Sequence, residues 1–218
     1  MTGRPPLRPS AAGTIIAVLA LVVLAADQFT KYLALENLPP EEPVHVIGDF
    51  LIFYLIRNPG AAFSLGEGVT WVFTIALTIV SVVIIWLAAT RVRSRLWAVA
   101  LGLLLGGVLG NLTDRALRAP GFPVGHVIDF INTPWMMPAI YNVADMFIVT
   151  MMIGVALLVL LGIHLDGTRD RRASADAAEA AADAPATDAP AAEAAADDAR
   201  AAEAEAPADD ASGAATKD

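Results

Sequence analysis

Four long apolar runs, separated by short polar connections, constrain this chain more than any other feature. They lie at about 12–35, 69–90, 96–112 and 140–165. The second and third contain no charged residue. The first is uncharged up to Ala26, and the fourth carries a single acid, Asp145. About 20 apolar residues in a helix cross the hydrocarbon core of a bilayer. The pattern therefore predicts a mainly α integral membrane protein with four transmembrane helices. The chain is 56% hydrophobic, above the roughly 45–50% of a soluble domain.

The net charge of −9 belongs to one end. From Asp166 to Asp218 there are 14 acidic and 5 basic residues, whereas the first 165 residues hold nine of each. Residues 173–218 are rich in Ala, Asp, Glu and Pro, which predicts a disordered acidic tail without a catalytic role. No basic patch points to nucleic acid. The absence of cysteine excludes disulfides and thiolate chemistry. His45, His126 and His164 follow no ligand spacing, so neither a metal nor another cofactor is expected.

Arginines orient the spans. Arg4 and Arg8 precede the first, Arg91, Arg93 and Arg95 fill the turn between the second and third, and Arg169, Arg171 and Arg172 follow the fourth. The positive-inside rule makes these flanks cytoplasmic. Residues 1–11 are then a cytoplasmic N-terminus, 12–165 the membrane domain, and the loops at about 36–68 and 113–139 face outward. A cleavable leader is the other reading of the first run, but Asp27-Gln28-Phe29-Thr30-Lys31 follows it instead of a small-residue cleavage site. Within the first loop, the β-branched and aromatic stretch from Val44 to Arg57, with Gly48-Asp49 as a turn, predicts a short hairpin on the outer membrane surface.

Ionisable groups in or near membrane spans are costly and mark functional sites. Here they gather towards the outer side. Asp27 and Lys31 share a helix face at the end of span one. Asn111, Asp114 and Arg115 close span three behind Gly106, Gly107 and Gly110, small residues that admit a neighbouring helix. Asp129 interrupts the apolar run Val127 to Ile131. Asp145 stands about one and a half turns into span four. Two acids at one depth in a low-dielectric site cannot comfortably both ionise, so one keeps a proton and the other acts as a base. Such a pair can activate water and polarise a carbonyl. Spacing alone leaves a second reading, an unrelated pair of interfacial acids. As a function class, a small transporter or proton relay uses the same carboxylates, but it calls for acids spread along the membrane depth. A serine peptidase lacks a plausible Ser-His pair.

Five boxes, taken in order, resemble the lipoprotein signal peptidase (signal peptidase II) family: Asp27-Gln28-x-x-Lys31, Arg57-Asn58-Pro59-Gly60-Ala61-Ala62-Phe63-Ser64, Gly107-x-x-Gly110-Asn111-x-x-Asp114-Arg115, Val127-Ile128-Asp129-Phe130, and Tyr141-Asn142-Val143-Ala144-Asp145. Tyr141 and Val143 stand where related sequences often have Phe and Leu. The resemblance implies that Asp129 and Asp145 are the catalytic pair of an aspartic endopeptidase. It assigns support of the pair and substrate to Asn58, Asn111, Arg115 and Asn142. Independently of the resemblance, the Gly60-Ala61-Ala62 stretch suits either a close approach of peptide to the backbone or a simple turn. Asp27, Lys31 and Asp114 are left to hold the architecture. The resemblance further implies a small extracytoplasmic β-cradle, no cofactor, and a monomer in the bacterial cytoplasmic membrane. The implied substrate is a prolipoprotein whose lipobox cysteine carries diacylglycerol, cut immediately before that cysteine with its acyl chains in membrane lipid.

The arginine pattern makes a direct prediction. A cysteine introduced as Ser94→Cys should resist an impermeant thiol reagent added from outside, whereas Gly121→Cys should react. Labelling in the opposite sense refutes the orientation.

Overall fold

Proline and glycine set the ends of the first helix and hairpin. Pro9 opens helix α1 (Pro9–Asn37), where its missing N–H costs nothing. Leu38, extended ahead of Pro39, closes it. The computed structural model describes residues 7–60 and 69–170. Strands β1 (Pro43–Ile47) and β2 (Leu51–Asn58) follow, joined at Gly48 with φ +48. Then come α2 (Thr70–Thr90), α3 (Arg95–Leu117), β3 (Val127–Thr133), β4 (Met137–Tyr141) and α4 (Val143–Leu160). All four helices are long and apolar enough to cross a membrane, and the chain is a mainly α membrane protein with a small antiparallel sheet. The tail from Arg171 and the segment 61–68, which includes residues 61–64 of the second box, lie outside the described residues.

Helix α3 is the core of the bundle. Two thirds of its apolar window is buried, against 6% for α4, whose surface is left to face lipid. Its glycines make this possible. A Cβ on Gly106 would stand 2.5 Å from Val23 Cβ of α1, and one on Gly107 would stand 2.6 Å from the Ala144 carbonyl of α4. At one end of the bundle, Leu7 N–H donates to Arg93 O, while Arg93 and Ser94 N–H donate to Leu165 O. The start of α1, the α2–α3 turn and the chain after α4 are thereby tied together. The flanks bearing Arg8, Arg91, Arg93, Arg95 and Arg169 share that end.

The sheet lies at the other end, in the order β1-β2-β3-β4. The first two strands come from the hairpin anticipated in the first loop, and the second outer segment contributes the other two. Asn58 pairs with Val127 and Ile52 with Asn132, while Ile131 pairs with Tyr141. Leu55, Ile128 and Phe130 pack the sheet on Ala34, Leu35 and Leu38, the last turns of α1.

Three sequence expectations change. Span four does not begin near Ile140, because Met137 to Tyr141 pair as a strand and Asn142 caps the helix behind them. Asp145 therefore stands in the first turn of α4. Span three does not close at Leu112, because α3 continues to Leu117 and carries Asp114 and Arg115 as helical residues. The segment 113–139 is accordingly a helix end and a hairpin, not one loop.

The helix extends because its charges are satisfied from elsewhere. Lys31 is completely buried, and its ammonium lies 2.8 Å from Asp27 and 2.7 Å from Asp114, both also completely buried. Its third hydrogen bond goes to Asn111 Oδ1 at 2.9 Å. The isolated i,i+4 pair visible in the sequence is thus half of a larger ion cluster. Asp27 also accepts from the Ala144 N–H at the start of α4 (2.9 Å), and Asp114 accepts from the Ile128 N–H of β3 (3.2 Å). Gln28, to which the sequence reading gave no role, donates to Asp27, the Gly110 carbonyl and Asp114. One cation consequently binds α1, α3, α4 and β3 to one another.

Two stability predictions follow from this packing. Lys31→Met leaves buried Asp27 without its cation and Asp114 with Arg118 alone (2.6 Å), and should lower stability by about 3–5 kcal/mol. Gly107→Ala forces α3 away from α4 and should cost about 1–3 kcal/mol, whereas Gly13→Ala, which meets nothing within 4 Å, should be close to neutral. Reversible unfolding in bicelles measures all three, and equal stability of the Gly107 and Gly13 variants contradicts the close-approach argument.

Candidate active site

The first turn of a helix has amide N–H groups with no partner inside the helix, and side chains must supply acceptors. At α4 the supply is reciprocal. The Asn142 side chain accepts from the Asp145 N–H at 3.0 Å, and Asp145 Oδ2 accepts from the Asn142 N–H at 3.2 Å. This capping box fixes both residues on the backbone. Asp145 Oδ1 is left to accept from Asn111 Nδ2 at 2.8 Å. Asn111 is itself held by Lys31, so the charge cluster behind the site orients an amide within it.

Asp129 reaches the same place from the sheet. It is buried, pairs in register with Ile56, and receives Asn58 Nδ2 on Oδ2 at 2.8 Å. Asn142 Nδ2 donates to its Oδ1 at 2.6 Å and also to Asn111 Oδ1 at 3.2 Å. A chain of three asparagines thus brackets the two carboxylates, one on β3 and one on α4. Burial, followed by the charge of Asp145, raises the Asp129 pKa from the ordinary carboxylate range to about 7.

Both acids line a cavity of about 330 Å³. Its polar wall is Asn58, Asn111 and Arg115 besides the pair. Its apolar wall includes Phe73 and Leu77 of α2, Ile148 and Val149 of α4, and Tyr141 of β4. Tyr141 enters the sequence reading only as a mild departure within the fifth box, away from the chemistry, yet it lines the cavity. No α2 residue is singled out there, because nothing in α2 distinguishes an inward apolar residue from a lipid-facing one. His126 does not line this cavity. Among the described residues, no group of three His, Cys, Asp or Glu side chains could hold a metal ion.

The remaining residues of the motif set build the frame. Arg115 uses Nη1 to donate to the carbonyls of Pro59 at 2.9 Å, Gly125 at 3.0 Å and Asn58 at 3.3 Å, and Nη2 to donate to Gly60 O. It pins the chain leaving β2 against the chain entering β3. Gly60 N–H donates to Asn58 Oδ1 at 2.9 Å, which orients the Asn58 amide towards Asp129. Both backbone groups of Gly60 are therefore occupied internally, although the residue lies on the cavity wall. Asp27, Lys31 and Asp114 sit behind the site and do not line the cavity.

The described geometry has counterparts among known proteins. A family profile described as signal peptidase (SPase) II matches residues 19–164. A lipoprotein signal peptidase of Leifsonia xyli subsp. xyli is 49% identical over 178 residues, covering 78% of this chain and 82% of that one. That of Mycobacterium avium is 45% identical over 172 residues, covering 79% and 92%. A solved structure described as a bacterial membrane enzyme, determined by the in meso method at 2.3 Å resolution, superposes with a TM-score of 0.60. It is 30% identical, and the match covers 68% of this chain and 88% of that one. With the profile spanning all four helices and the sheet, and with relatives this similar over most of both lengths, the chain is a membrane peptidase belonging to the signal peptidase II family.

Proposed function

We propose that this chain is an aspartic endopeptidase that removes signal peptides from bacterial prolipoproteins at the outer face of the cytoplasmic membrane. Both termini are on the inner side, and one chain suffices, because both acids come from it. The observation that carries the reading is the pairing of Asp129 and Asp145 on one cavity wall through Asn58, Asn111 and Asn142. The transporter alternative finds no support, since the acids cluster at one end of the bundle and not along its length.

The two acids divide the work by environment. Both acids accept two N–H donors, but Asp145 does so at a helix N-terminus, where negative charge is stabilised. It is the ionised member and takes a proton from water. Asp129, with its raised pKa, keeps a proton and donates it in a hydrogen bond to the scissile carbonyl oxygen. The water oxygen adds to the carbonyl carbon, the C–N bond breaks, and the amine of the departing residue takes the proton that Asp145 drew from water, while Asp129 keeps its own. The apolar wall from α2 and α4 suits a substrate whose cysteine carries diacylglycerol, because the acyl chains stay in lipid while the peptide bond reaches the acids. Cleavage then falls immediately before that cysteine.

Purified protein in bicelles should cleave a diacylglyceryl-modified lipobox peptide and leave the unmodified peptide intact. Asp129→Asn and Asp145→Asn should each lower single-turnover cleavage by about 10²- to 10⁴-fold. The double variant should be little worse, because the pair acts as a unit. Near-normal cleavage by either single variant overturns the mechanism. Turnover should also fall as pH rises past about 7, where Asp129 gives up its proton, and the profile should report constants of the pair. A rate that keeps climbing well above that pH removes Asp129 from the role of acid.

A further inference from the structure

The sheet carries an apolar tip that the proposed chemistry does not use. The β1–β2 and β3–β4 turns lie beside each other at the end of the sheet remote from Asn58. Phe50 of one stacks on Trp135 of the other, with centroids 4.8 Å apart and planes inclined by 15°. Both rings are more than half exposed, at 55% and 61%, and Ile47 and Met136 beside them are exposed to a similar degree. Several polar atoms of these turns are engaged, and the exposed Asp49 carboxylate of the first turn lies 3.2 Å from His45 Nδ1. The Trp135 indole N–H donates to Phe50 O at 3.0 Å, Phe50 N–H to Ile47 O, and Met136 N–H to Thr133 O.

Two features argue for lipid as the occupant. A loop whose N–H groups are bonded internally loses little on leaving water, which is the condition for placing backbone near hydrocarbon. Exposed rings also stand at the sheet-side end of the bundle, Phe29 and Tyr32 of α1 and Trp71 of α2, and such rings mark the headgroup level of membrane proteins. We propose that the Phe50–Trp135 tip inserts into the membrane leaflet on the sheet side, about 5–10 Å into the headgroup and acyl boundary. The sheet is then held at both ends, by the bundle near Asn58 and by lipid at the tip, and β3 with Asp129 is carried between them. This inference needs no peptidase activity and holds for either orientation of the chain.

The absence of native cysteine makes the test direct. Met136→Cys, and Glu42→Cys as an exposed site on the sheet side, are labelled with an environment-sensitive fluorophore. The full chain is then placed in vesicles of phosphatidylethanolamine and phosphatidylglycerol. The probe at position 136 should lose fluorescence to lipids brominated high on their acyl chains and resist aqueous iodide, with the reverse at position 42. Adding Trp135→Asp should expose the first probe to iodide while the helical circular dichroism stays unchanged. Iodide access at position 136 in the unmodified background overturns the proposal. So does protection from both quenchers, which indicates a protein partner, or lipid quenching that survives Trp135→Asp.

Discussion

A fully buried lysine ammonium is among the most expensive groups a fold can contain, and it is retained only where every donor is satisfied and the charge is matched. Lys31 meets that condition with Asp27, Asp114 and Asn111, and the matching is what organises the molecule. Each carboxylate spends one oxygen on the ammonium and offers further lone pairs to backbone amides of other elements. Asp27 fixes where α4 starts, through Ala144, and Asp114 fixes where β3 starts, through Ile128. The residues that follow are Asp145 and Asp129. Each proposed catalytic acid is thus the immediate neighbour of an amide held by the same ion cluster, and the separation of the acids is set by a group that touches neither.

Around this cluster the packing is inverted relative to a soluble protein. The buried surface of the bundle is rich in glycine and alanine and carries the charges, while the larger apolar residues of α1, α2 and α4 point outward. In lipid there is no hydrophobic gain from bringing helices together, so close backbone approach and polar contacts must supply the attraction. Gly106 and Gly107 let α3 touch α1 and α4 on adjacent faces, and the same approach brings Lys31 within reach of Asp114.

The four helices were legible because hydropathy over twenty residues is a strong signal. The ends were not. The charges Asp114 and Arg115 read as the exit from a membrane helix, because Arg118, one turn on from Asp114, is only one of the partners that bury them, and the others lie at Lys31, 83 residues upstream, and near residues 60 and 125. Strand β4 was hidden because a short apolar run looks alike at the start of a helix and in a strand. The signal that separates them was present in Asn142-x-x-Asp145, whose spacing is that of a helix cap. The grouping of Asp129 with Asp145 was readable from the motif boxes, but the three asparagines linking them gave no sign of their order. Which amide serves which carboxylate depends on strand register and helix phase together, and a linear sequence shows neither.

The capping box at α4 means that Asp145 terminates a helix with the same carboxylate that faces the cavity. Its rotamer is chosen when the chain folds, so little reorganisation remains for each encounter with a ligand. The dual duty also limits what a ligand can do to it. A molecule that drew this carboxylate out of place would unfasten the cap, at a penalty of about 1 kcal/mol, and would leave the Asn142 amide without its acceptor. A molecule that donates a hydrogen bond to the oxygen where it already stands meets no such penalty. For ligand design the useful shape is therefore one built around a stationary carboxylate, with its own flexibility removed instead of the protein's.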